Sequence, residues 1–231
     1  GDLLSDVEDI QIQRGIGTNL YGSSSFGGSI NATTQIRSVS RKIQVMHGRG
    51  NWNTKQYRFK YLSGKDFGEK TSFAFRSSAI DSDGYRKEHG SMQRSAFIGF
   101  EHRGDIVKNQ FRAIIGYENT QLTWDGISKE DIEDNEKRRM GYKAYTDDFL
   151  QQIYSLNSTM TLNNNLSFRN VSYLVMGKGY YEVFKQDQDF YSYNLDINNV
   201  FTDAEEQAQS TDLLRRKWID NNYYGIVPML T

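Results

Sequence analysis

From residue 39 onward the chain repeatedly alternates apolar and polar side chains with a period of two, the pattern of strands with two different faces. In the segment 54–62, for example, Tyr57, Phe59 and Tyr61 alternate with polar residues. Segments with a helical period are nearly absent, so the sequence predicts an all-β fold. The predicted strands are, in chain order, 39–46, 54–62, 71–80, 94–103, 110–121, 149–162, 166–176 and 218–230.

The connections between these strands alternate between short and long, apart from a short first one at 48–53. The short connections are 64–70, 104–109 and 163–165, and the long ones are 81–93, 122–148 and 177–217. Transmembrane β-barrels show this alternation, because periplasmic turns are short and outer loops are longer. A strand of about ten residues also suffices to cross a bilayer at a tilt. We therefore predict an antiparallel transmembrane β-barrel; a soluble sandwich with shorter strands is the alternative.

Five charged residues alternate with aromatic or aliphatic positions on the predicted strands, and they are Arg58, Lys60, Arg76, Arg112 and Glu118. In hydrocarbon the backbone must be paired within a closed sheet, and an arginine at the midplane costs roughly 2–4 kcal/mol. We therefore expect these charges to face a lumen, where Glu8 and Arg14 are the obvious charged partners. The alternative is that they are solvated charges on a soluble sheet.

The first 35 residues follow a different pattern, with a short alternating strand, a turn region rich in glycine and serine, and a second short strand. Such glycines suit a compact unit whose backbone needs positive φ angles and close approach to neighbouring walls. The ordered motif consists of Glu8, Ile10, Arg14, Gly15, Tyr21, Gly22, Gly27, Gly28, Ile30 and Asn31. This motif resembles the end of the plug domain of TonB-dependent outer-membrane receptors.

The resemblance implies two regions, the C-terminal part of a plug domain at 1–35 and about the first eight strands of a transmembrane barrel at 36–231. Segments at 122–126, 177–182 and 212–221 look like barrel segments of such receptors from Bacteroidetes-type bacteria. Complete transporters of this family close with about 22 strands around a plugged lumen. We therefore expect the chain to be a fragment, whose sheet is completed by remaining barrel segments or by another chain.

The resemblance further implies active import of a scarce ligand, such as a siderophore, haem or cobalamin, across the bacterial outer membrane. TonB would act through a segment absent from this chain, and outer-membrane lipid or lipopolysaccharide would surround the barrel. Two alternatives stay open, a SusC-like glycan importer working with a lipoprotein lid, and a non-transporting adhesin or structural barrel.

Aromatic residues in the long predicted connections are candidates for contact with a small-molecule ligand, because binding residues are often carried on loops of a rigid scaffold. They are Trp124, Tyr180, Tyr181, Phe184, Phe190, Tyr191 and Tyr193. For Tyr180 and Tyr181 an equal alternative is a role as anchors at the outer membrane interface.

Composition argues against several other functions. The 28 Lys and Arg residues are balanced by 29 Asp and Glu residues, without the basic excess of a nucleic-acid-binding domain. Cysteine is absent, and the three histidines lack the spacing of metal ligands. The acidic run at 130–136 is typical of a solvated loop; contact with a cationic ligand, or with divalent ions bridging lipopolysaccharide, is the alternative. We expect no enzyme activity, no metal site, no cofactor and no nucleic-acid partner.

Overall fold

The computed structural model of the protein describes residues 7–15, 27–122, 126–140, 145–193 and 210–230. Nearly all of this part of the chain is extended. The elements are β1 (Val7–Arg14), β2 (Gly28–Thr34), β3 (Lys42–Arg49), β4 (Lys55–Leu62), β5 (Thr71–Ser82), β6 (Ser91–Arg103), β7 (Val107–Leu122), α1 (Asn135–Arg139), β8 (Tyr145–Asn163), β9 (Leu166–Asp189), a 3-10 turn (Phe190–Tyr193) and β10 (Ser210–Leu230). No helix in the described ranges is long and apolar enough to span a membrane.

The strands form two antiparallel sheets. Strands β1 and β2 form a hairpin in which Arg14 lies opposite Gly28. The other eight strands form one sheet, in which every strand pairs with its neighbours in sequence from β3 to β10. This arrangement confirms the predicted all-β antiparallel class, and it contains the eight predicted strands. The described sheet is open, with β3 and β10 at its edges.

From β6 onward the connections alternate between short and long as predicted, whereas the β4–β5 and β5–β6 connections, at 63–70 and 83–90, have the same length. The connections at 63–70, 104–106 and 164–165 lie at one end of the sheet, which we call the short-turn end. The opposite end, which we call the long-connection end, carries the connections at 50–54 and 83–90 and is where β7 and β9 end and β8 and β10 begin.

Strands β9 and β10 are longer than the sequence predicts. Strand β9 continues to Asp189 and β10 begins at Ser210, so the predicted connection at 177–217 shrinks to 190–209. Strand β9 has 24 residues, against the 9–11 or so that cross a bilayer. The additional residues of β9 extend it toward the long-connection end, where it stays paired with β10. The bounds of the other strands differ from the prediction by a few residues.

Two glycines explain why the prediction ended β9 too early. Gly177 and Gly179 suggest a turn, yet both lie within β9 and pair with Gln151 and Phe149. A Cβ atom on Gly179 would overlap the carbonyl oxygen of Asp148 and would lie 2.7 Å from the Phe149 Cα atom. The glycines therefore permit a close approach between β8 and β9 rather than a turn.

The two faces of the eight-stranded sheet differ. On the face that we call the inner face, Ile36 packs on Leu62, Ala74 and Phe97 to form a small buried core. Gly99 makes room for this contact, since a Cβ atom there would lie 2.7 Å from Ile36 Cγ1.

The opposite, outer face is apolar and exposed. Its exposed apolar and aromatic side chains include Ile43, Val45, Tyr57, Phe59, Phe100, Phe111, Leu156, Tyr224 and Ile226. An exposed apolar surface that extends over so many strands marks contact with a membrane or another apolar partner.

Candidate functional site

The strand register places the five charged residues predicted to face a lumen on the inner face. Lys60 lies opposite Arg76, and Arg112 lies opposite Gly99. Arg58 and Glu118 share this face because side chains two residues apart on a strand point the same way. The sequence pattern therefore identified the shared face, while its contact with a lumen stays a prediction.

The segment that joins the β1–β2 hairpin to the sheet lies directly on this inner face. Besides the buried Ile36, the Lys60 ammonium donates to Gln35 Oε1 at 3.0 Å, and Arg112 Nε donates to Thr34 Oγ1 at 3.0 Å. Arg37 donates to the carbonyl oxygen of Glu69 at 2.9 Å. Residues 34–37, which we call the junction segment, are thus held by polar and apolar contacts with the four strands β4 to β7 and with the turn at 63–70.

A buried carboxylate next to the junction segment is the centre of a charged cluster. Glu101 is 2% exposed and accepts hydrogen bonds from Arg103 and Gln110. Arg37 and Lys108 each place a nitrogen 3.7 Å from its carboxylate oxygens. Because a buried carboxylate is costly without partners, these groups are needed to keep Glu101 charged.

Sequence reasoning missed Glu101 and Arg37. Glu101 points to the inner face of β6, as do Gly99 and Phe97, because the three residues are spaced two apart along the strand. The aromatic ring of Phe97 obscured the alternation there, because it lies on the face that otherwise carries polar groups. The contact between Arg37 and Glu101 joins residues 64 positions apart, and no local pattern predicts it.

A cavity of about 870 Å³ separates the β1–β2 hairpin from the inner face at the short-turn end. Glu8 and Asn31 line it from the hairpin side. The lining includes the cationic residues Arg37, Lys65, Arg103, Lys108, Arg112 and Arg169 and the acidic residues Glu8, Glu69 and Glu101. The walls thus carry an excess of positive charge.

Ion pairs also join the short turns at this end. Lys65 Nζ lies 2.9 Å from Glu69 Oε1, and this hydrogen bond lowers the pKa of Glu69. Lys70 Nζ lies 2.6 Å from Asp105 Oδ1 and joins two neighbouring turns. That hydrogen bond lowers the pKa of Asp105. All four side chains are largely exposed, so they contribute little to stability.

The hairpin contains most of the described motif residues. Glu8 and Arg14 lie on β1, and Asn31 lies on β2 opposite Gln11. Gly15, with φ +77°, donates its backbone N–H to the Gly27 carbonyl at 3.0 Å. A Cβ atom on Gly28, whose φ is +147°, would overlap the Gln13 carbonyl oxygen. Tyr21 and Gly22 lie outside the described residues.

The aromatic ligand candidates are not brought together. Tyr180, Tyr181 and Phe184 lie in β9 rather than in a connection, so the expected loop position was wrong. The reason is that β10 pairs with β9 along this whole stretch. Trp124 lies outside the described residues, as does the side chain of Tyr191. Tyr193 lies in the 3-10 turn after β9, where its hydroxyl donates to Gln188 at 3.0 Å.

Tyr180 and Tyr181 belong to different faces of the sheet. Tyr180 pairs with Trp218, whose ring centroid is 4.7 Å away, and the Arg216 guanidinium lies 4.7 Å from the Tyr180 ring. Lys217 lies 5.8 Å from the ring of Tyr181. Since adjacent strand residues point to opposite faces, the two tyrosines do not face one common ligand site. Contact of either with a ligand stays a prediction.

The acidic run at 130–136 has local structural roles. Asp134 caps α1 by accepting the backbone N–H groups of Glu136 and Lys137. Asp131 pairs with Lys137 at 2.9 Å, and the hydrogen bond from Lys137 lowers the pKa of Asp131.

The sequence is similar to known transporters over part of its length. No family model matches the chain. The chain is 26% identical over 153 residues to the vitamin B12 transporter BtuB of Vibrio cholerae serotype O1, in strains O395, M66-2 and N16961. The match covers 62% of this chain and 25% of each relative, so the chain matches about a quarter of the length of these relatives. This similarity supports the TonB-dependent receptor family at a coarse level.

Proposed function

We propose that this chain is the end of the plug domain, residues 1–35, and the first strands of the barrel, residues 36–231, of a TonB-dependent outer-membrane transporter. One observation carries the proposal. A small hairpin is joined through the junction segment to the polar inner face of an antiparallel meander whose outer face is apolar and exposed. This combination suits a wall with lipid outside and a plugged, hydrated lumen inside.

The contacts of the hairpin support a plug that moves relative to the wall. The 870 Å³ cavity lies between the hairpin and the inner face, whereas the junction segment is bound through Ile36, Arg37 and Thr34. A force applied to the N-terminal side would therefore displace the hairpin first. The junction segment would keep the plug attached to the barrel.

The imported ligand is a scarce compound that outer-membrane pores do not supply. Cobalamin is the first one to test, since the relatives are vitamin B12 transporters. A ferric siderophore and haem follow from the sequence resemblance. The proposed partners are TonB, the remaining barrel strands, and the lipid and lipopolysaccharide of the outer membrane of a Bacteroidetes-type bacterium.

The test is an uptake measurement in the native bacterium. Uptake of radiolabelled cobalamin, a ferric siderophore and haem is compared in the wild-type strain, in a strain lacking the full gene, and in a strain lacking TonB. We expect saturable uptake of one ligand that is lost in both deletion strains and is restored by the gene on a plasmid.

Equal uptake of all three ligands in the three strains contradicts import of these compounds. TonB-dependent uptake of an oligosaccharide that needs a neighbouring lipoprotein would favour the glycan importer. Loss of surface attachment without any change in uptake would favour the adhesin.

A further inference from the structure

The outer face of the sheet has a groove over strands β4 to β7, near the long-connection end. Its volume is about 550 Å³, a size that suits a small molecule or part of a larger one. The floor consists of the small residues Ser77, Ala79 and Ala96, which lie on the neighbouring strands β5 and β6. The next outer-face residues toward the short-turn end are Phe75 and Ile98. The small floor is therefore confined to one part of the outer face.

Larger side chains form the two sides of this groove. Tyr57 of β4 lies on one side, and Ile115 and Tyr117 of β7 lie on the other. The ring of Tyr57 lies 4.7 Å from the ring of His47. The Tyr117 hydroxyl donates to Asp148 at 2.9 Å. Because these contacts hold both tyrosines in place, the groove exists before anything enters it.

The shape and lining of the groove suit hydrocarbon. Each strand from β4 to β7 contributes two successive outer-face residues, such as Ser77 and Ala79 on β5, and such residues are about 7 Å apart along a strand. The groove therefore takes a short length of one extended chain. On a face that meets lipid, an empty groove would lose van der Waals contacts along its walls. A lipid acyl chain restores those contacts.

Positive charge lies at the long-connection end of the groove. Arg49 and Lys55 lie opposite each other on β3 and β4, one outer-face position beyond residues that line the groove. Neither forms an ion pair with a carboxylate of the described ranges. Arg94 also lines the groove, but it donates to both carboxylate oxygens of Asp81, at 2.7 and 3.0 Å. The charges of Arg49 and Lys55 are thus left to attract an anionic group.

We propose that this groove binds an acyl chain of lipid A, the lipid part of lipopolysaccharide, while Arg49 and Lys55 bind one of its phosphates. Guanidinium and ammonium groups are the usual phosphate ligands in proteins. The inference rests on the proposed function, in which the long connections face outward and the groove therefore opens toward the leaflet that contains lipopolysaccharide. It goes beyond general contact with lipid, because it assigns one position at which a single lipid stays bound.

The experiment is native mass spectrometry of the full-length protein in detergent, titrated with purified lipid A. Phosphatidylglycerol and dephosphorylated lipid A are the comparison lipids. The variant A96F fills the floor of the groove with a ring. The double variant R49Q/K55Q removes the two unbalanced charges and leaves the groove itself intact.

The control variants change the outer face away from the groove. N222F adds the same ring on β10, in the cross-strand row that also contains Ala96. K178Q removes an outer-face cation of β9, which forms an ion pair with Asp220 at 3.5 Å. Both controls therefore alter bulk or charge on the same face without touching the groove.

We expect one lipid A molecule to bind the wild-type protein, N222F and K178Q with equal affinity. A96F should raise the Kd by about tenfold, because the ring takes the space of the acyl chain. R49Q/K55Q should raise it by about tenfold or more, because two phosphate contacts are lost. Dephosphorylated lipid A should bind the wild-type protein as weakly as intact lipid A binds R49Q/K55Q.

Equal affinities of the wild-type protein, A96F and R49Q/K55Q for lipid A overturn the proposal. So does tighter binding of phosphatidylglycerol than of lipid A, because the groove then takes a phospholipid. A protein dimer that A96F dissociates overturns it as well, since a second copy then covers the groove. If A96F does not fold, R49Q/K55Q and dephosphorylated lipid A decide the question.

The outcomes separate this inference from the proposed function. TonB-dependent uptake, together with equal lipid A affinity in all variants, removes only the lipid site. Weakened lipid A binding in A96F and R49Q/K55Q, without any uptake by the wild-type strain, removes only the transport assignment.

Discussion

The carboxylate of Glu101 connects the junction segment to the sheet more directly than any residue that the alternation predicts. It combines near-complete burial with contacts to two cations of its own sheet, Arg103 and Lys108, and to Arg37 of the junction segment. These three cations are about 40% exposed, so they remain partly hydrated when the carboxylate is removed. Removing the Glu101 charge should therefore lower the free energy of unfolding only moderately.

We predict that E101Q lowers the free energy of unfolding by about 2 kcal/mol, since it weakens several hydrogen bonds to one charged group. Urea titration of the full-length protein in lipid vesicles measures this. The control E133Q changes an exposed glutamate in the β7–β8 connection and should have no effect. Equal unfolding midpoints for E101Q and the wild-type protein would show that the cluster contributes nothing.

Gly99 and Ile36 form a second specific contact. A methyl group at residue 99 would lie 2.7 Å from Ile36 Cγ1 and 3.0 Å from Phe97 Cζ. We predict that G99A costs about 1–3 kcal/mol through overpacking, and that I36A costs about 2–4 kcal/mol through a cavity.

The double variant tests whether the two effects share one contact. In the I36A background the crowding atom is gone, so G99A should cost less, with a coupling energy of about 1 kcal/mol. A double-mutant cycle of unfolding free energies measures this coupling. Strict additivity of the two single changes would place the junction segment elsewhere than on Gly99.

Among the strands, the paired extension of β9 and β10 is the feature that departs most from the sequence prediction. Glycines usually weaken a strand, but those of β9 occupy positions where side chains have no room. Gly116 in β7 is different, since a Cβ atom there would meet nothing within 4 Å. Alanine substitutions at Gly179 and Gly116 therefore form a matched pair within one sheet.

We predict that G179A destabilises the protein by at least about 2 kcal/mol, because the new methyl group forces β8 and β9 apart. G116A should be neutral or should stabilise by roughly 0.5–1 kcal/mol, since alanine loses less entropy than glycine on folding. Thermal unfolding of both variants in detergent gives the comparison. A neutral G179A would mean that residue 179 lies in a loop, as the sequence suggested.

The large sheet has one apolar and one polar face. The proposed function requires lipid against the apolar face and water against the polar face. Leu156, which is 42% exposed, belongs to the outer face. Its neighbour Ser155 lines the cavity on the inner face. The chain contains no cysteine, so single cysteines in this region can carry a spin label at one defined position.

We predict that a spin label on L156C in vesicles collides with oxygen, which concentrates in lipid, and is protected from a water-soluble nickel complex. A label on S155C should show the opposite preference, because it faces the hydrated side. The measurement is electron paramagnetic resonance of the full-length protein with any other cysteines removed. Equal access of the nickel complex to both labels would contradict a membrane-facing outer side.

Much of the architecture could be read from the chain because alternation is a local property. Side chains two residues apart were enough to predict the strand class, the number of strands in the large sheet, and the shared face of Arg58, Arg76 and Arg112. The alternation of short and long connections was predicted correctly from β6 onward. The motif at residues 8–31 likewise indicated a separate N-terminal unit. Ligand contact by the aromatic residues stays a prediction, and the position of Tyr180 in a loop was wrong.

Contacts between distant parts of the chain decided the rest. The docking of the junction segment on Glu101, the extension of β9 along β10, and the meeting of Trp52, Tyr85 and Arg139 each join residues that are 20 or more positions apart. A repeating pattern specifies which way a side chain points, because that depends on its immediate neighbours. Which distant group it meets depends on how the whole sheet brings its strands and connections together in space.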